Sequence, residues 1–436
     1  MITCIKTFQT LTLLLLTFFG SYAQTVAIDN VNIITMHTEK VLERQRIIIE
    51  DGIIVAIEPS TNPTKIKVDQ VINGDNNYLI PGLAETHYHL QNGIERESKL
   101  MLANGITTVV NMAEEPQYDQ IDIREKANSG RFLAPHYYTT GPYLMASNLD
   151  TKSKIDSIIT NHKNRGYDFL KLADNLPQQL YSYLLQQVDI QGIPVIGHGQ
   201  RKLPLRYSLR MKNIAHIEEF MNIFTKAQRN DDNYLQKVAL QIRQSGVYVS
   251  PTLGVFEMIM NYADDQKLES YKQREELKYL PVAYFNFWTS DTIKFRKSKW
   301  FTAPESLQRL EAELAWQQHF THILNKAGVH LLAGSDTYGL FLPGFTIHHE
   351  LQLMVDAGLT PYEALLTATV NPARYLGKYA VSGTIEVGKK ADLVMLRNNP
   401  LEAIENTKTI AGLFFKGKWF DRPRLDALLD EVEKSR

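Results

Sequence analysis

Apolar positions along this chain fall into short runs cut by polar turns. Near the start, Val26-Ala27-Ile28, Val31-Asn32-Ile33-Ile34 and Arg46-Ile47-Ile48-Ile49-Glu50 read as strands. Asp51-Gly52 then predicts a hairpin turn into Ile53-Ile54-Val55-Ala56-Ile57. The far end has the same texture: Ala391 to Leu396, Ile410 to Phe415, a turn at Gly417, then Trp419-Phe420. Two β-rich ends around a long middle predict one small β-sandwich domain, residues 24–80 with 379–422, into which residues 81–378 are inserted.

The middle alternates apolar strand candidates with helical segments such as Ile155 to Arg165 and Tyr234 to Ser245, the signature of parallel βα units. The candidates end near His87 and His89, Met112, Tyr143, Lys171, His198, His216, Thr252 and Asp336. Eight such units predict an α/β fold, a closed (β/α)8 TIM barrel. The connection from Gly254 to about Ala327 is far longer than an ordinary βα link and rich in aromatics, among them Phe256, Tyr262, Tyr284, Trp288 and Trp300. Residues 254–305 are therefore expected to form a lid over the barrel mouth, with packing outside the barrel as the alternative.

The first 23 residues have a different pattern. Lys6 precedes an apolar run from Leu11 to Phe19, and Ser21-Tyr22-Ala23 follows as a small-x-small cleavage site. This predicts a signal peptide cut after Ala23 and a secreted or periplasmic protein, with an uncleaved anchor as the alternative. The single cysteine, Cys4, lies inside that segment, so the mature chain has no thiol for a disulfide, a nucleophile or a metal. Of the 436 residues, 44% are hydrophobic and 22% charged, and the net charge is -1. That composition is ordinary for a globular protein and points to no nucleic-acid partner and, after signal removal, no stable membrane span; a small-molecule substrate fits. A homo-oligomer is compatible with it.

Polar residues on the strand candidates then form a pattern. In a strand, His87 and His89 point to one side. Alone they are either two structural histidines or a metal pair. With Lys171, His198, His216 and Asp336 also at strand ends, six metal-competent groups share the rim where barrel enzymes do their chemistry. Imidazoles and a carboxylate suit zinc or a similar divalent metal. A buried lysine near cations loses its proton more easily and can add carbon dioxide, giving a carbamate able to bridge two metals. Arg201 can clamp a substrate carboxylate, and Tyr143 can contact substrate; a solvated loop charge and strand packing are the alternatives. Glu218 and Glu219 are candidate partners for a ligand imidazole.

In order along the chain, these segments resemble the amidohydrolase superfamily, in its imidazolonepropionase-like and prolidase-like branch. The resemblance lies in Leu79 to Leu90 with His87-Tyr88-His89, in Gly166 to Lys171, in Gly192 to Gly199, in Ile214 to Glu219 and in Ala333 to Asp336. It continues through Ala357 to Leu365, Ala368 to Ala373 and Gly388 to Leu393. It implies a binuclear metal-dependent amidohydrolase that cleaves an amide, peptide-like or cyclic amide C–N bond by attack of a metal-bridged hydroxide. His87, His89 and Asp336 would hold one metal, His198 and His216 the other, zinc being expected for both. Lys171, carboxylated by carbon dioxide, would bridge them, and Asp336 would be the catalytic acid and base. A mononuclear deaminase or an ester or lactone hydrolase on the same scaffold is the alternative, and a non-catalytic binding protein a weaker one. The deaminase branch uses a glutamate three residues after the strand-five histidine; here that position is Arg201.

Overall fold

The structure, a computed structural model, describes residues 24–436; the signal segment predicted at residues 1–23 lies outside them. The β-rich start gives β1 (Thr25–Ile34), β2 (Val41–Glu50), β3 (Ile53–Pro59), β4 (Gln70–Asn73) and β5 (Tyr78–Pro81). The middle gives β6 (Leu83–Tyr88), β7 (Ile106–Asn111), β8 (His136–Thr139), β9 (Leu170–Leu172), β10 (Val195–His198), β11 (Asn213–Ala215) and β12 (Tyr248–Ser250). The end gives β13 (Leu393–Leu396), β14 (Ile410–Phe415) and β15 (Lys418–Asp421).

Strands from both ends join in the order β15-β14-β13-β5-β1-β2-β3, with β4 beside β1. Hydrogen bonding therefore runs continuously through all eight strands of the small domain expected from both chain ends as a β-sandwich. The reason is β5, which pairs with β1 along one edge and with β13 along the other. Side chains alternate between two cores, as the period of two requires. Leu79, Leu393 and Met395 pack in the sheet's own cluster, whereas Ile80, Val394 and Leu396 face the large central cluster. Asp51-Gly52 and Lys416-Gly417 both have positive φ at the two central positions, the conformation that matches a two-residue hairpin to the strand twist.

In the middle, β6-β7-β8 and β9-β10-β11-β12 form two parallel sheets. A bridge between Thr140 and Phe169 links them, and another joins Val249 to Leu331. Thr86 N then donates to Ala333 O at 3.1 Å and Asp336 N to His87 O at 2.8 Å, so pairing leads back to β6. The eighth strand candidate makes these contacts without regular strand geometry. The Ser335 amide is taken by the Glu85 carboxylate at 3.0 Å instead of by a neighbouring backbone.

Residues 254–305 form short helices, including Leu253–Tyr262, Asp265–Tyr271 and Val282–Trp288. They bury Met258, Tyr262, Leu268 and Phe295 in a cluster shared with Leu340, Phe341 and Leu342 from the loop after Asp336. The helix Arg422–Lys434 extends beyond the expected small domain and buries Leu425 and Val432. Among the described residues, no helix is long and apolar enough to cross a membrane.

Candidate metal centre

His87 is the next-to-last residue of β6 and is completely buried; His89 follows directly after its end. Their rings lie 5.3 Å apart. Asp336 reaches them from across the seam: its Oδ1 is 3.0 Å from His89 Nε2 and 3.5 Å from His87 Nε2. The ligand atoms of these three residues all lie within 4.8 Å of one another. His216 extends the group, its ring 4.7 Å from that of His87 and 4.7 Å from that of His198. His216 and Asp336 share a backbone feature: each has positive φ, 70° and 51°, which turns the chain sharply at the strand end. Few residues other than glycine adopt that conformation, and such outliers gather at functional sites.

Lys171, the middle residue of β9, is 1% exposed. Its Nζ lies 3.3 Å from His87 Nε2, and among the described residues no carboxylate oxygen lies within ion-pair reach of it. Burial lowers its pKa to about 8, although Asp336 and Glu219 pull the other way. Room for the side chain comes from Gly197, at φ 112°: a Cβ there would fall 2.8 Å from Lys171 Cδ. Burial also disfavours the charged forms of His87 and His216, taking His216 down to about 3. Burial alone would raise Asp336; its close contacts with His87 and His89 outweigh it and hold the carboxylate well below the usual range.

Neighbouring groups settle which ring nitrogens are free. Thr252 Oγ1 donates to Pro251 O at 2.7 Å, so it accepts from His216 Nδ1 at 2.8 Å and leaves His216 Nε2 open. Glu219 Oε1 accepts from His198 Nδ1 at 2.7 Å, leaving His198 Nε2 open likewise. Orienting partners of this kind fix tautomer and ring direction at metal sites. Glu219 thus serves His198, not the nearer-in-sequence His216. Thr252 is the residue sequence reasoning missed; its one signal was its place at the end of the seventh strand candidate.

The centre opens into a cavity of about 400 Å³, walled in part by Tyr143, Glu218, Val255, Ile259, Lys294 and Tyr338. Tyr143 Oη lies 3.0 Å from His89 Nδ1. Arg201 was expected to clamp a substrate carboxylate, with a solvated loop charge as the alternative. Its guanidinium is held by Glu219 through Nε at 2.5 Å and through Nη2, and it does not line this cavity. The buried Glu219 carboxylate is taken to about 2, against the raising effect of its own burial, by the hydrogen bonds from Arg201 and His198.

Residues 78–420 match the family model described as the amidohydrolase family. The chain belongs to that family. This makes it a hydrolase acting on C–N bonds. The amidohydrolase is 22% identical over 427 residues to a 5-methylthioadenosine/S-adenosylhomocysteine deaminase of Shouchella clausii, covering 90% of each chain. Among solved structures it resembles a bottromycin amidohydrolase, with TM-score 0.73, 19% identity, and 94% and 90% of the two chains covered. It also resembles a Xaa-Pro dipeptidase, with TM-score 0.67, 16% identity, and 91% and 100% covered. At these identities the structural likenesses show the fold.

The family is metal-dependent, and the residues of this amidohydrolase suit a metal. Two nitrogens and a carboxylate oxygen converge, which is a donor set for zinc and its neighbours. His87 Nδ1 is buried and has no hydrogen-bond partner among the described residues, an orphaned nitrogen of the kind a metal ligand leaves.

Proposed function

We propose that this amidohydrolase is a binuclear metal-dependent hydrolase of an amide, peptide-like or cyclic amide bond, built on a closed (β/α)8 barrel. His87, His89 and Asp336 would hold one metal, His198 and His216 a second, with carboxylated Lys171 between them and zinc as the metal. The observation that carries this reading is Lys171. A buried amine with no acidic partner in ion-pair reach among the described residues, set against a metal-competent imidazole, is costly as an ammonium and suited to become a carbamate. Metal bound there polarises a carbonyl and lowers the pKa of water. Asp336, beside the attack position, takes the proton from the attacking water and passes it to the leaving amine. Tyr143 and the insertion residues Val255 and Ile259 orient the substrate and limit water. The chain is secreted or periplasmic after cleavage behind Ala23, which sequencing of the mature amino terminus checks.

The test begins with chelator-stripped protein assayed on N-acyl amino acids, dipeptides, cyclic amides and lactones. Zinc with bicarbonate restores activity, and metal analysis finds two ions per chain. Lys171→Ala and Asp336→Asn each lose at least about a hundredfold in kcat; full activity in either removes the mechanism. The full-length likeness to a deaminase supports a second reading, deamination with one metal. One ion per chain together with ammonia release from a purine would establish it. Against it stands Arg201, engaged by Glu219 at the place where that branch carries its glutamate.

A further inference from the structure

One acidic side chain on the cavity wall has no part in the chemistry above. Glu218 stands two residues after His216, just before the helix Glu219–Ile223, and faces the cavity with Tyr143 and Tyr338. Its neighbour Glu219 is saturated by His198 and Arg201. Glu218 is not: its Oε2 is buried without a hydrogen-bond partner, and it forms no ion pair among the described residues. The nearby guanidinium of Arg201 is turned to Glu219 instead.

A buried acceptor left unmade is costly, and a donor on the substrate would complete it. The group that completes it must bring N–H donors. A primary ammonium brings three, with the opposite charge, and charge-assisted bonds of this kind are the strong ones. Elsewhere the wall is mixed: Val255 and Ile259 give it an apolar part, beside Gln91 and Lys294, and Lys294 forms no ion pair with Glu218 among the described residues.

We propose that Glu218 docks a primary ammonium on the substrate, so that the preferred substrates are amides bearing a free amine, with an apolar side chain set against Val255 and Ile259. This rests on the reading of the centre as a C–N hydrolase. It adds a recognition group that acts on binding, separate from the groups that act on the bond.

The probes are leucinamide and N-acetyl-leucinamide, titrated by calorimetry into wild-type zinc-loaded protein. The free amine is expected to bind at least about tenfold more tightly, and Glu218→Gln to bring the two within about threefold at unchanged metal content. Equal affinities in wild type, binding of neither probe, or a preference that survives in Glu218→Gln overturns the proposal. For leucyl-glycine, Glu218→Gln is expected to raise KM at least about tenfold and change kcat less than about threefold; the reverse pattern overturns it. Should Glu218→Gln fail to fold, the wild-type comparison and Glu218→Asp decide by the same ratios. Selective binding of the amine without turnover of any amide removes the hydrolase reading and leaves the docking role standing.

Discussion

Glu219 shows how much one side chain can arrange. It accepts from His198, holds Arg201 and stays ionised though buried. Glu219→Gln keeps the shape but weakens both bonds; it is expected to cost about 10–100-fold in metal affinity or activity, read by metal titration alongside kcat/KM. A second residue gives a pH test away from the centre. His348 is buried between Thr407 Oγ1 at 2.9 Å and Asn104 O at 3.1 Å, and burial lowers it from 6.5 to about 4. The folded form therefore disfavours its protonation: its contribution is whole above pH 6.5 and is lost as pH falls toward 4, about 3 kcal/mol in all. Urea midpoints of wild type and His348→Gln should converge across that window. The places of His87, Lys171, His198, His216 and Asp336 were legible in the chain because each ends an apolar run. The role of Thr252 was not, since it depends on the turn His216 makes at φ 70° and on a partner 36 residues away; Glu219 was legible as an imidazole partner, but not that the imidazole is His198. The Arg201–Glu219 pair was not legible for a similar reason: it is set by three-dimensional packing, not by the distance of Arg201 from His198.

Among the elements, the insertion is tied to the centre by one buried carboxylate. Glu350, in the helix Thr346–Asp356, accepts from Leu253 N at 3.0 Å and Gly254 N at 2.8 Å, at the start of the helix that carries Val255 and Ile259. It thereby caps the helix that follows Thr252, the partner of His216. Glu350→Ala strands two buried amides and is expected to lower stability by about 2–4 kcal/mol, measured by urea unfolding. It should also raise KM more than it lowers kcat, because the wall moves while the metal ligands stay. The long connection was readable as helical and aromatic, but which surface its aromatics cover was not: Leu340, Phe341 and Leu342 join that cluster from the far side of Asp336. The strands at both ends were likewise readable singly. That they make one sheet depends on β5 accepting partners on both edges, a pairing no local pattern records.

For the whole molecule, the seam between β6 and residues 333–336 matters most. It is drawn together by Thr86 and Ala333, by Asp336 and His87, and by Glu85 with Ser335 across 250 residues of sequence. Gly334 lies so close to His87 that a Cβ would sit 2.6 Å from the His87 Cβ. Gly334→Ala is expected to cost about 1–3 kcal/mol and to misplace both ligands, seen as lower zinc affinity. His87 and His89 stand on one side of this seam and Asp336 on the other. In kinetic terms, the donor set exists only once the most distant stretches of the middle have met, and loop-closure entropy makes such contacts late. A metal bound there should then act as a clasp on the finished protein: added zinc slows unfolding while leaving the refolding rate nearly unchanged, which stopped-flow measurements at several zinc concentrations would read.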